Sequence, residues 1–371
     1  MVQFRLKTSI QMYESCKDFC EAFQISQTDL IITSGHIYED YLNGFTGKAN
    51  IINMRKYGNG EPNDRMVEAI YQDIKDIMYH RVFAIGGGSI LDVAKLFVLK
   101  HITPVDELFA HNLPIVKEKE LIMVPTTCGT GSEVTNISIL ELIEKNTKLG
   151  LAADELFADY GVLIPQLLET LPFQSFATSS IDAFIHAIES YLSPKANAFT
   201  QMYSKNAMEL ILKGYQTIVA SGQEARWPLM KDFLLASTYA GIAFGNAGCA
   251  AVHALSYPLG SAFHIAHGES NYAVFNGVFE TYMKTLPNGT ISELNCFLAE
   301  ILGCENDAVY QEMDRLFGGI VPKKSLSNYG VTKEQLLEFT DSVIKNQQRL
   351  LANNYVELTK EDVYEIYCSI F

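Results

Sequence analysis

No apolar run in this 371-residue chain approaches the roughly 18 residues that a membrane-spanning helix needs. The opening MVQFRLK carries charge where a secretory leader has its apolar core. A cytoplasmic protein is the expectation. Basic residues are scarce as well: 28 Lys and Arg stand against 43 Asp and Glu, a formal net charge of -15. The electrostatic footprint that holds a phosphate backbone or an anionic bilayer is therefore missing, and nucleic-acid and membrane-surface roles lose their physical basis. The cysteines do not make a disulfide framework or a zinc finger. There are seven, at 16, 20, 128, 249, 296, 304 and 368, and the one close pair, Cys16 and Cys20, has no second pair to complete it. Free or buried thiols in a reducing compartment follow. Low-complexity segments and internal repeats are absent, and 48% hydrophobic against 19% charged residues is the composition of a folded globular protein.

What is present divides in two, as the length suggests at about 100–200 residues per domain. The first part alternates short apolar runs with helical periodicity, the pattern of an α/β domain around a mainly parallel sheet. Strands are predicted at Leu30–Thr33, Ile51–Met54, Val82–Ile85 and Leu121–Val124, and a hairpin at Ile137–Ile143 and Lys148–Ala152 about the turn Glu144-Lys145-Asn146-Thr147. An amphipathic helix is predicted over residues 63–80 behind an Asn-Asp cap, and a second from the glycines at 86–88 through Leu99. Beyond Pro172 the strand signals stop. Helices follow, with breaks expected at Ser193-Pro194, Ser221-Gly222, Pro258-Leu259-Gly260, Pro287-Asn288-Gly289 and Gly318-Gly319. Two domains are placed at 1–172 (α/β) and 173–371 (helical).

Two turns in the first part suit phosphates. The strand ending at Ile85 runs into Gly86-Gly87-Gly88-Ser89 and then a helix. Without side chains the backbone can approach a ligand, and the N–H groups opening the helix favour an anion. On its own this run, which is not G-x-G-x-x-G, is equally well explained as a tight turn. A second strand ends in Thr126-Thr127-Cys128-Gly129-Thr130-Gly131-Ser132, and loops at the carboxyl ends of adjacent parallel strands share one crevice. Asp92, three residues past Ser89, either caps backbone amides or holds a cofactor amide. Cys128 reads as a packed small residue, with no histidine near it in sequence to activate it.

The second part carries a carboxylate and three imidazoles. Asp182 and His186, four apart on a helix, share a face. Three of the eight histidines, 253, 264 and 267, fall within 15 residues among small and apolar neighbours. Asp182, His186, His253 and His267 together supply one hard oxygen and three borderline nitrogens, a set suited to Fe(II) or Zn(II) with an open position for substrate.

Four segments in order, GGGSILDVAK (86–95), PTTCGTGSE (125–133), DAFIHAIES (182–190) and HALSYPLGSAFHIAHGESN (253–271), resemble the signatures of the iron-containing, or group III, alcohol dehydrogenase family. The resemblance is close over residues 80–275 and architectural elsewhere. It implies a Rossmann-like nucleotide-binding domain, a helical domain, and an active site in the cleft between them. By the same resemblance the metal ligands are Asp182, His186, His253 and His267. The nicotinamide dinucleotide contacts are Gly86, Gly87, Gly88, Ser89, Asp92, Thr126, Thr127 and Thr130, with Lys148 on the ribose side.

Catalysis is expected at His253 and His267, with Tyr257 standing where many members have a further histidine, as hydrogen-bond donor, proton relay or packing group. Ala266 replaces a common proline. Ser34 replaces the aspartate of NAD-preferring members, so NAD is expected with NADP left open. The resemblance further implies a homodimer or higher homo-oligomer. The branch most resembled acts on 4-hydroxybutyrate and succinic semialdehyde, whose carboxylate would need donors; His264, Ser256, Tyr257, Asn271 and Tyr272 lie in the right stretch. The alternatives are dehydrogenation of 1,3-propanediol, 1,2-propanediol or butanol, and a metal-dependent cyclase resembling dehydroquinate synthase. The cyclase would need a basic cleft for a phosphorylated substrate, whereas only Lys195, Lys205, Lys213, Arg226 and Lys231 fall between Pro172 and His267. A non-catalytic nucleotide-binding or metal-sensing protein would have no use for four intact ligands.

Overall fold

The computed structural model describes residues 3–371 apart from Asn59, Asn146 and His264. The chain packs as two compact units, Leu6–Leu171 and Pro172–Phe371, the second joined by the N-terminal residues up to Arg5. Phe4 finds aromatic partners there, stacking on Tyr203 at 5.8 Å between centroids. The Asn246 amide brackets the backbone of Arg5. The chain start thus belongs with the helical unit, not with the α/β unit as expected.

The first unit is built on a six-stranded sheet in the order β1-β8-β5-β4-β2-β3, all of it parallel. The strands are β1 (Ser9–Met12), β2 (Asp29–Thr33), β3 (Asn50–Asn53), β4 (Arg81–Gly86), β5 (Glu120–Pro125) and β8 (Tyr160–Leu163). Two were not legible in sequence: β1 and β8 have four residues each, and Ser9, Gln11 and Gly161 interrupt any apolar run. The central strands read as continuous apolar stretches because both faces are covered. On β4, Val82 and Ala84 join one hydrophobic cluster and Phe83 and Ile85 the other. The predicted antiparallel hairpin is present as β6 (Ile137–Leu142) and β7 (Thr147–Ala152) and stands apart from the sheet; Asn146 of its turn lies outside the described residues.

Helix starts were better signalled than helix ends. Asn63 caps Asp64–Ile74 by accepting from the Met66 N–H at 2.9 Å. That helix stops six residues short of His80, because the chain must turn for the Tyr79 hydroxyl to reach the Phe97 carbonyl at 3.0 Å and for β4 to begin. The helix after the glycine turn, Gly88–Leu96, ends three residues before Leu99, which forms an isolated bridge to Lys117.

Among the described residues the second unit contains no strand. Its central helix, Phe173–Leu192, buries 16 of 20 residues, and a helix covered all round is the axis of a helical core. Ala198–Ser221, Met230–Ala247, Ala251–Phe263 and His267–Thr285 follow. The expected breaks at 193–194, 221–222, 287–289 and 318–319 fall between helices, but the one at Pro258 does not: Ala251–Phe263 runs through it. A proline removes one helical N–H, and side chains serve nearby carbonyls, with the Tyr367 hydroxyl donating to Leu255 O at 2.7 Å and Ser256 Oγ to His253 O at 3.0 Å. The real interruption lies at 248–250, before His253. No single helix among the described residues is long and apolar enough to cross a membrane.

Candidate metal centre

Three helices bring the four sequence-predicted ligands together. Asp182 and His186 lie on Phe173–Leu192, His253 on Ala251–Phe263, and His267 opens His267–Thr285. Asp182, His186 and His253 are buried, whereas the His267 side chain is 41% exposed. The helix of His267 crosses close to that of Asp182 because residue 268 is glycine; a Cβ there would overlap the Thr178 carbonyl oxygen.

Asp182 Oδ2 lies 3.9 Å from His186 Nδ1, and Oδ1 lies 3.9 Å from His253 Nε2 and 3.8 Å from His267 Nε2. One ligand atom from each residue falls within 4.8 Å of all the others. Atoms sharing an ion at about 2.0–2.2 Å stand roughly 3–4 Å apart, so this set fits a divalent ion. Burial alone would raise the Asp182 carboxyl pKa, but His186, His267, His253 and the Asn271 amide outweigh it and hold the group below its ordinary value. The Asn271 amide donates to Asp182 Oδ1 at 2.7 Å and lies 3.3 Å from both His253 Nε2 and His267 Nε2. Two amide protons face three acceptors, and that surplus of lone pairs in a buried volume is what a cation satisfies.

Glu189 was missed in the sequence, although 182, 186 and 189 repeat at helical spacing. Its carboxylate is buried on the same helix and receives the His253 Nδ1–H at 2.5 Å and the backbone N–H groups of Val252 at 2.6 Å and Ala250 at 3.1 Å. A carboxylate in contact with Nδ1 requires the proton there, so Nε2 is free to ligate. Burial would lower the His253 pKa, but Cys249 and Glu189 raise it well above the ordinary value.

Tyr257 lies on the same helix as His253, its ring centroid 6.1 Å from that of His267. Burial raises the phenol pKa; His253 and, more weakly, the nearby Arg349 guanidinium oppose this. Arg349 belongs to Gln348–Leu351, packed against the Ala251–Phe263 helix. No hydrogen bond or ion pair engages Arg349 among the described residues, and it lies far in sequence from the segment between Pro172 and His267. Of the other donors in this stretch, Ser256 is committed to His253 O, Asn271 serves Asp182, the buried Tyr272 hydroxyl has no hydrogen-bond partner among the described residues, and His264 lies outside the described residues.

In the first unit, the turns after β4 and β5 lie side by side. Gly86 pairs with Pro125 in register, and Thr126 N–H donates to Gly86 O at 3.0 Å. A Cβ on Gly88 would stand 2.7 Å from Thr130 Cγ2, and one on Gly87 3.5 Å from Thr127 Cγ2. Gly87 caps Gly88–Leu96 without a side-chain hydrogen bond, so the first N–H groups, those of Gly88 and Ser89 included, stay open to an anion. Asp92 is held inside this unit: Oδ1 accepts from Ser132 Oγ at 2.6 Å and Oδ2 from Ile139 N–H at 3.0 Å. Lys148 lies on β7, its ammonium 3.4 Å from Glu61. Ser34 Oγ, at the end of β2, lies 3.1 Å from His36 Nδ1.

Comparison with known proteins matches two family models, "Iron-containing alcohol dehydrogenase" over residues 10–165 and "Fe-containing alcohol dehydrogenase family, C-terminal" over residues 176–371. The chain is 45% identical over 371 residues, all of both chains, to a 4-hydroxybutyrate dehydrogenase of Clostridium kluyveri. It is 31% identical over 308 residues, 79% of this chain and 77% of the other, to a sulfoacetaldehyde reductase of Bilophila wadsworthia. Its fold matches the crystal structure of a Bifidobacterium kashiwanohense sulfoacetaldehyde reductase in complex with NAD+, with a TM-score of 0.84 and 23% identity, covering 99% of this chain and 98% of that one.

Proposed function

The chain belongs to the iron-containing alcohol dehydrogenase family, and on that footing we propose that it interconverts 4-hydroxybutyrate and succinic semialdehyde with NAD. Membership makes it a metal-dependent oxidoreductase that uses a nicotinamide cofactor on an alcohol/aldehyde pair. The observation that carries the finer reading is the intact convergence of Asp182, His186, His253 and His267 in a chain that matches a 4-hydroxybutyrate dehydrogenase along its whole length.

In this reading those four residues hold Fe(II) or Zn(II). When bound, the ion and the nicotinamide supply a Lewis acid for the substrate oxygen and a hydride acceptor or donor for the adjacent carbon. The residues do the placing. Asn271 pins one oxygen of Asp182 and leaves the carboxylate a fixed direction. Tyr257, kept neutral by burial, presents an O–H as hydrogen-bond donor beside His267. The open N–H groups at Gly88 and Ser89, with Thr126, Thr127 and Thr130, receive the dinucleotide phosphates.

The substrate carboxylate needs a cation, and Arg349, whose charge acts on Tyr257 and which makes no hydrogen bond or ion pair among the described residues, is the candidate. The sulfoacetaldehyde reductase among the relatives is likewise named for an aldehyde with a distal anion.

The test is a panel of 4-hydroxybutyrate, 1,3-propanediol, 1,2-propanediol and n-butanol, run with NAD and with NADP after loading with iron or zinc. A marked preference in kcat/KM for the hydroxy acid is expected, and equal rates with n-butanol overturn the substrate assignment. Both cofactors belong in the panel because Ser34 carries no charge to repel a 2'-phosphate.

A further inference from the structure

Resting on the reading of Asp182, His186, His253 and His267 as a metal site, we propose that Glu189 is its positioning residue: it fixes which nitrogen of His253 faces the ion and ties the start of that histidine's helix to the helix bearing Asp182 and His186. A single side chain reaches both elements. Oε2 takes the His253 Nδ1–H and the Ala250 N–H, and Oε1 takes the Val252 N–H. The interruption at 248–250 therefore ends on a carboxylate, and the first turn of Ala251–Phe263 is registered against residue 189. One helix supplies two ligands directly and aims the third through its next turn, at spacings of four and three residues.

Glu189, Cys249 and His253 also lie close enough together to raise a second metal cluster as an alternative. Geometry excludes it. His253 Nδ1 and Glu189 Oε2 are 2.5 Å apart, a direct hydrogen bond with no room for an ion, since two ligands of one ion stand roughly 3 Å apart or more. His253 thus spends Nδ1 on Glu189 and keeps Nε2 for the Asp182 cluster.

Glutamine at 189 tests this sharply. It has the same shape but one acceptor oxygen instead of two. With its oxygen toward Val252, its NH2 faces His253 Nδ1 and drives the imidazole proton to Nε2, the ligating atom. With its oxygen toward His253, its NH2 meets the Val252 N–H head on. Either way the site is misdirected, as loss of a carboxylate partner to a metal-bound histidine commonly costs roughly 10- to 100-fold in metal affinity.

The experiment measures Zn(II) affinity by chelator competition, and NAD+ affinity separately, for the wild-type protein, Glu189→Gln and His267→Ala. Expected are a 10- to 100-fold weaker Zn(II) affinity in Glu189→Gln, a larger loss in His267→Ala, and unchanged NAD+ affinity in both. Zinc affinity of Glu189→Gln equal to wild type overturns the role of Glu189 and leaves the metal reading standing. Failure of the wild-type protein to bind zinc, and Fe(II) offered in its place, overturns the metal reading itself. Should Glu189→Gln not fold, histidine 15N spectra of the zinc-loaded wild-type protein decide: a protonated Nδ1 at His253 supports the proposal and a protonated Nε2 overturns it.

Discussion

Two buried charges, one in each unit, are treated in opposite ways. In the α/β unit Lys95 is fully enclosed, and four acceptors meet its ammonium: Ile137 O at 2.6 Å, Ser132 Oγ at 2.7 Å, Thr135 Oγ1 at 3.2 Å and Asp92 Oδ1 at 3.4 Å. Burial lowers its pKa while Asp92 and Glu133 oppose this. Its needs are met by the chain, and the result is a brace between the glycine-turn helix and the segment 132–137. In the helical unit the Asp182 carboxylate and the Nε2 atoms of two histidines share one amide that cannot serve them all. A buried charge is therefore not in itself a sign of function. A closed network holds the fold together, whereas lone pairs in surplus over protons, aimed at one volume, leave room for a ligand.

His267→Ala is the largest way to test that contrast. It removes the most exposed of the four candidate ligands, so packing changes little, yet turnover should fall by about 10³-fold or more, the equivalent of several kcal/mol of lost Lewis-acid stabilisation. Retained turnover after metal loading sinks the metal mechanism. Lys95→Met probes the opposite unit. The acceptors it leaves behind are buried, and breaking such a network costs about 3 kcal/mol. A lowered melting temperature with unchanged Zn(II) affinity is the expected pair of results; loss of zinc binding with no loss of stability inverts the comparison.

The same contrast accounts for what the sequence made legible. The parallel sheet announced itself in runs such as Val82–Ile85, because burial on both faces demands unbroken apolar strands, and the candidate ligands stood out through the four-residue spacing of Asp182 and His186 and the run of histidines beyond residue 252. The edge strands β1 and β8 did not, being short and mixed in composition. Pro258 misled, since a proline was read as a break where neighbouring hydroxyls serve the helix. Glu189 and Arg349 escaped for different reasons. Glu189 lies on a visible helical repeat that was read only as far as its second member, whereas Arg349 lies 82 positions beyond His267, where only tertiary packing of Gln348–Leu351 on the Ala251–Phe263 helix brings it near Tyr257.

Arg349 is also where the smallest and most selective effect is expected. A net charge of -15 opposes the approach of a small carboxylate, so a hydroxy-acid dehydrogenase needs a local cation that outweighs the general field. Arg349→Gln keeps a polar side chain of similar reach and removes the charge. With 4-hydroxybutyrate, kcat/KM should drop about 10- to 100-fold, the equivalent of about 1.5–3 kcal/mol for a charged hydrogen bond, mostly through KM. With n-butanol, which has no carboxylate to bind, the rate should stay as it was. An equal loss on both substrates assigns Arg349 to the support of Tyr257 and not to the substrate, and no loss on either moves the carboxylate elsewhere, with the buried Tyr272 hydroxyl the next donor to examine.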